Sequence, residues 1–223
     1  MKTTMIMLVV AWISMSIMAP EEISPNSAQN KIDISVSRLL SIAKAHDLAL
    51  LEQMGKDISQ LNDKGLQVAY NLALFIASPD KYKQRFVDNF PEDSNGIMHY
   101  LYDQIELQQL TPSFLYSFES LGAIAEEGNS TAIKKVFNGY PHSDGVVAEV
   151  FCNTMNNLVY KQTTKALLSL SKLSDRDRRI IYECFEYQGP GGISALKEYL
   201  RDLKKRSSKP ELKVIEEIDH WGY

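Results

Sequence analysis

From Asp33 onward apolar residues return at steps of three and four, beginning with Leu39, Leu40, Ala43, Leu50, Leu51, Met54, Ile58 and Leu61. That spacing lines one face of an α-helix. No stretch sustains a period-two alternation bounded by turn chemistry, so the expected fold class is all-α with essentially no sheet. The first helix is expected to be long, capped by Asp33 or Ser35, and to end where Asn62, Asp63 and Gly65 interrupt the pattern. A chain of 223 residues, 44% hydrophobic and 23% charged, can bury a substantial core within one domain. Its formal net charge of −4 gives no electrostatic reason to seek a polyanion, so no nucleic-acid partner is expected and a basic or neutral one suits it better.

The N-terminus carries a targeting pattern. Lys2 is followed by Met5 to Met18, 14 residues without a charge, and then by Pro20, Glu21 and Glu22. A short positive segment ahead of an apolar run too short to span a bilayer comfortably has the layout of a secretory signal peptide. Residues 1–16 are read as that peptide, with cleavage between 16 and 19, and residues 17–31, polar and carrying Pro20 and Pro25, as a mobile leader. The alternative is an uncleaved signal anchor that tethers the protein to a membrane. Residues 32–205 are expected to form a single helical domain, and 206–223 a C-terminal tail with a short helix.

Export bears on the two cysteines, Cys152 and Cys184, which stand 32 positions apart. An oxidising compartment permits them to bond, and closing a loop of that size stabilises a fold by about 3 to 4 kcal/mol. Alternatively each is a small apolar residue on a helix face, beside the Val, Phe and Ile of VVAEVFC and IIYECF.

Residues 121–136, LGAIAEEGNSTAIKKV, join two apolar stripes through a Gly-Asn-Ser break. Leu121, Ala125, Gly128, Asn129 and Val136 superpose on Leu72, Ile76, Pro79, Asp80 and Val87 at a constant offset of 49, and Leu167, Ser171, Ser174, Asp175 and Tyr182 follow 46 residues on. Helix starters fill the same slot each time: Ser78-Pro79-Asp80, Asn129-Ser130, and Ser174 with Asp177. A recurrence of this length lies at or just above the range of helical-pair repeats, although evenly sized helices in any all-helical protein produce a similar pattern.

The stretch resembles the helix, turn and helix of a HEAT-like repeat. In that family a Leu-Gly or Leu-Ala pair, a small residue, a Gly-Asn or Gly-Asp turn and an Ala-Ile pair recur in this order, matched here by Leu121, Gly122, Ala125, Gly128, Asn129, Ala132 and Ile133. The copies at 72 and 167 lack the turn glycine. The resemblance implies antiparallel helical hairpins stacked as a short HEAT-like α-solenoid that binds protein, with an irregular helical bundle as the other arrangement of such helices. It implies no activity.

Residues able to carry chemistry are sparse. His99, Asp103 and Glu106 share one helix face and offer a metal two or three ligands, but no full first shell is visible, and a solvated face with one intrahelical pair is the preferred reading. QGPGGIS, 188–194, sets glycines ahead of a helix but lacks the P-loop lysine and follows a helix, so it reads as a connection. Arg176, Arg178 and Arg179, and then Arg201, Lys204, Lys205 and Arg206, are interleaved with Asp175, Asp177, Glu198 and Asp202, the pattern of surface salt pairs. Asn129-Ser130-Thr131 is a glycosylation sequon that matters only in a eukaryotic secretory pathway. No nucleophile elbow or Cys-His signature is present. Tyr100, Tyr116, Tyr140 and Tyr187 stand near helix starts and turns and are candidate partner-surface residues, or line the core with the hydroxyl reaching water.

The expectation is an exported protein, periplasmic or secreted, that binds another protein of the cell envelope as scaffold, inhibitor or toxin-neutralising partner. No catalytic residue and no cofactor is assigned, and no membrane insertion is expected after signal cleavage. A helical metal-dependent hydrolase using His99, Asp103 and Glu106 is the alternative.

Overall fold

The computed structural model describes residues 34–91, 111–143, 145–187 and 192–221, and every regular element among them is helical. Helix α1, Val36–Lys44, begins where the Ser35 hydroxyl accepts from the Arg38 amide, and it buries Val36, Leu39, Leu40 and Ala43. The helix expected to run on to Leu61 stops here. His46 takes a φ of 55°, Asp47 Oδ1 accepts from the Leu50 amide at 3.1 Å, and a separate helix α2, Leu48–Gln60, starts from that cap. A short acidic side chain that satisfies a free amide makes a new helix start competitive with continuation. Asp63 repeats the device at 2.9 Å for α3, Lys64–Ala77, which packs on α1, α2 and α4. Helix α4, Pro79–Asn89, has Ser78 in the cap position but no bond from its side chain. Pro79, with its φ already helical and no amide to satisfy, begins the turn.

Next come α5, Thr111–Glu126, and α6, Ser130–Gly139, then a 3-10 turn at Tyr140–His142, α7, Gly145–Lys161, and α8, Thr163–Leu170. Between α5 and α6, Gly128 has a φ of 94° and Asn129 Oδ1 accepts from the amides of Thr131 and Ala132, both at 3.0 Å. Helix α5 packs on α6 and α7, and α6 on α7 and α8, with a smaller contact from α4 to α6. An aromatic row runs through these layers: Phe86 to Phe90 at 5.6 Å between ring centroids, Phe90 to Phe118 at 5.4 Å, and Phe118 to Phe151 at 5.2 Å. All three contacts are edge-on, the arrangement ring quadrupoles favour.

Polar clasps hold the turn between α5 and α6 from both sides. From α4, Lys83 pairs with Glu127, and Gln84 Oε1 accepts from Asn129 Nδ2 at 3.2 Å. From α7 and α8, Asn157 donates to the Glu126 carboxylate at 2.8 Å, Gln162 to the Glu126 carbonyl at 3.0 Å and Lys165 to the Gly128 carbonyl at 2.6 Å. Carbonyls left open at a helix end thereby find donors on the following pair. Lys135 of α6 is buried, and its ammonium donates back to the carbonyls of Asp88 and Phe90 at the end of α4.

Three elements complete the unit: α9, Asp175–Tyr187, α10, Gly192–Arg201, and α11, Lys209–His220, with a 3-10 turn at Lys204–Arg206 before the last. Ser174 caps α9, accepting from the Asp177 amide at 3.1 Å and donating to its carboxylate at 2.7 Å. Leu167 and Tyr182 thus flank a helix, turn and helix, but α8 packs on α6, α7 and α11, whereas α9 packs on α7 and α10. Cys152 of α7 and Cys184 of α9 are bonded, with Cα atoms 5.8 Å apart. Both cysteines are also buried. The segment expected as a tail is part of the core, since Val214, Ile215 and Ile218 of α11 are buried and the helix packs on α8 and α10. Its start is a capping box formed by Ser208 and Glu211.

Arg178 pairs with Asp175, one of the acids interleaved with its cluster, but it is buried rather than on the surface. It is 2% exposed, donates from Nε and Nη2 to both Glu217 oxygens at 2.7 and 3.0 Å, and from Nη1 to the Leu173 carbonyl at 2.5 Å. Tyr182 donates to the same carboxylate at 3.0 Å. Arg201 and Lys204 form salt pairs, but with Asp219 of α11 rather than with the interleaved Glu198 and Asp202.

Candidate functional site

Helix α5 turns one stripe outward. Tyr116, Glu119, Ser120, Ala123, Ile124 and Glu127 follow one another at helical spacing and form one wall of an open groove of about 420 Å³. Phe75 at the end of α3 and Pro79, Asp80 and Lys83 at the start of α4 form the opposite wall. The groove exists because the buried face of α5, with Phe118, Leu121 and Ala125, is committed to the core, which leaves Tyr116 at 42% exposure on the outer face.

The floor is apolar and the rim is charged. Stacked rings form the aromatic end: the Phe75 ring lies 4.5 Å from Phe86, nearly parallel, and 6.5 Å from Tyr116. Phe75 and Ile124 line the groove but are largely buried, so Tyr116 is its main exposed apolar surface. At the other end Lys83 pairs with Glu127 across the groove, joining α4 to the turn after α5. Asp80 and Glu119 take no hydrogen bond or ion pair with any described residue, and both are exposed. Lys81, next to Asp80 in sequence, is engaged elsewhere by Glu52 at 2.7 Å. The hydrogen bonds from Lys81 and then Tyr82 hold the Glu52 carboxyl below its ordinary range. No protein-family model, curated protein or solved structure matches this chain.

The expected partner-surface tyrosines are separated by the fold. Tyr116 stands in the groove wall. Tyr140 is half-buried in the 3-10 turn, where burial, and then the negative charge of Glu183, raises its phenol above the usual value. Tyr187 projects from the end of α9 at 86% exposure. No ring contact among the described residues joins these three. Tyr100 and the metal candidates His99, Asp103 and Glu106 lie outside the described residues, as do Gln188, Gly189, Pro190 and Gly191. Among the described residues no helix is long and apolar enough to cross a membrane.

Sequence reasoning missed the groove's charged residues, Asp80, Lys83, Glu119 and Glu127. A signal existed: Tyr116, Glu119, Ala123 and Glu127 recur at three and four residues on the face opposite Phe118, Leu121 and Ala125. Asp80 carried its own local explanation as an acidic residue in the first turn of α4, favoured by the helix dipole, which concealed its place on the rim.

Proposed function

We propose that this chain is an exported, non-catalytic protein-binding module of the cell envelope, whose helical pairs form a short HEAT-like array with the groove between α3/α4 and α5 as its contact surface. The observation that carries the reading is the groove itself: an exposed Tyr116 beside buried Phe75 and Ile124, rimmed by carboxylates and set between two consecutive helical pairs. Tyrosine at a concave site supplies large contact area at little conformational cost and is enriched where proteins bind one another. The packing of α5 on α7 and of α6 on α8 supports a repeating register of pairs. The apolar run Met5 to Met18 behind Lys2 supports export.

The test is capture in the envelope with a photoreactive amino acid at the exposed position Ala123. A protein crosslinked there, and lost when Tyr116→Ala is combined with Ile124→Ala, is the expected result. Capture that is unchanged by both substitutions, in a chain that still unfolds cooperatively, would remove the groove from the function.

A further inference from the structure

The groove's charge identifies what it accepts. We infer that it takes a protein segment carrying a lysine or arginine whose aliphatic stem lies along Tyr116 and Phe75 and whose cationic head meets Asp80 and Glu119; the inference rests on the protein-binding reading above.

Four charged side chains line the groove, Asp80, Lys83, Glu119 and Glu127, and the only cation among them is already paired with Glu127. Two carboxylates therefore face the opening without a cation. The neighbouring basic residues do not relieve them: Lys81 is bound to Glu52, and Arg85 donates to Asn71 at 2.7 Å with its guanidinium over the Tyr70 ring. An anionic segment would meet like charge on the rim, and a purely apolar one would cover both carboxylates without replacing their water. A long cationic side chain satisfies both parts of the site at once, its methylenes on the aromatic wall and its head on the carboxylates. The formal charge of −4 favours approach of the same class of partner from a distance.

A displayed library of random twelve-residue peptides, panned against the folded chain and counter-panned against the double variant Asp80→Asn, Glu119→Gln, tests this. Peptides that depend on the groove are expected to be enriched in arginine or lysine next to an apolar residue. Their affinity is expected to fall roughly tenfold for the double variant, and further as salt rises from 0.05 to about 0.5 M. Substituting the basic residue of a selected peptide by glutamate is expected to abolish binding, and Glu119→Lys in the protein to restore part of it. Groove-dependent peptides without a basic residue would overturn the cationic assignment and leave the binding reading standing. If no peptide distinguishes wild type from Tyr116→Ala with Ile124→Ala, the reading itself falls. Self-association that is lost in Glu119→Lys would replace the foreign segment by a second copy of the chain. Thermal unfolding of each variant separates loss of contact from loss of fold.

Discussion

Gly122 of α5 lies against Thr154 of α7 so closely that a Cβ on the glycine would stand 2.7 Å from the threonine Oγ1 and 3.2 Å from its Cγ2. The glycine of the Leu-Gly pair is there because two helices meet at that point. Gly122→Ala is expected to destabilise the protein by about 1 to 2 kcal/mol, the overpacking cost less the better helix propensity of alanine. The Thr154 hydroxyl donates only to the Val150 carbonyl of its own helix, at 2.9 Å. Adding Thr154→Ala should therefore recover most of the loss, which chemical denaturation of the two single variants and the double variant measures.

Reduction of the bond between Cys152 and Cys184 is expected to lower stability by about 3 to 4 kcal/mol, as the separation of 32 residues implies. Urea melts with and without a phosphine reductant, and of Cys152→Ser with Cys184→Ser, should agree in their midpoints. A midpoint unmoved by reduction would mean that α9 is held on α7 by packing alone.

Glu217→Ala leaves the Arg178 guanidinium buried without its bidentate partner and deprives the Tyr182 hydroxyl of its acceptor. The Glu217 side chain is 31% exposed, so water can repair part of the damage and the expected loss is about 2 to 3 kcal/mol, below that for a fully buried pair. Replacing the whole group, Arg178→Met with Glu217→Leu and Tyr182→Phe, is expected to be less harmful than Glu217→Ala alone. Thermal unfolding of both variants decides the order.

The alkaline limit should also be set partly at this cluster. Burial, and then the charge of Glu217, raises the Tyr182 phenol well above its ordinary value of 10.0. A raised phenol favours the folded state below pH 10, where both states are neutral, and this contribution is lost as pH rises further and the unfolded chain ionises first. Stability should fall above pH 10 with a contribution of up to about 1.4 kcal/mol per pH unit from this residue. Tyr182→Phe should flatten the decline, and Tyr70, Tyr140 and Tyr160, raised chiefly by burial, account for part of what remains. Equilibrium unfolding between pH 9 and 12 reads the two slopes.

What could be read in the sequence was local. The helical class, the Ser35, Asn129 and Ser174 caps and the Gly128 turn all follow from a few adjacent residues. The break at His46 was hidden because Leu50 follows Ala43 by seven residues, about two helical turns, so the apolar face keeps its phase although His46 and Asp47 interrupt the spacing. Burial of Arg178 was invisible for a different reason: its partner Glu217 stands 39 positions away, and composition alone makes any arginine look solvated. The same distance hid the groove. Tyr116 was recognisable as a candidate, but its neighbours Phe75 and Asp80 come from helices whose approach to α5 is decided by packing.

The clasps around Glu126 and Gly128 impose a direction on assembly. The donors that complete this turn, Asn157, Gln162 and Lys165, are synthesised after it, as Lys135 is after the carbonyls of Asp88 and Phe90. During synthesis these acceptors stay open until the later donors have been made, so a chain halted before Asn157 leaves the turn at Gly128 unfinished.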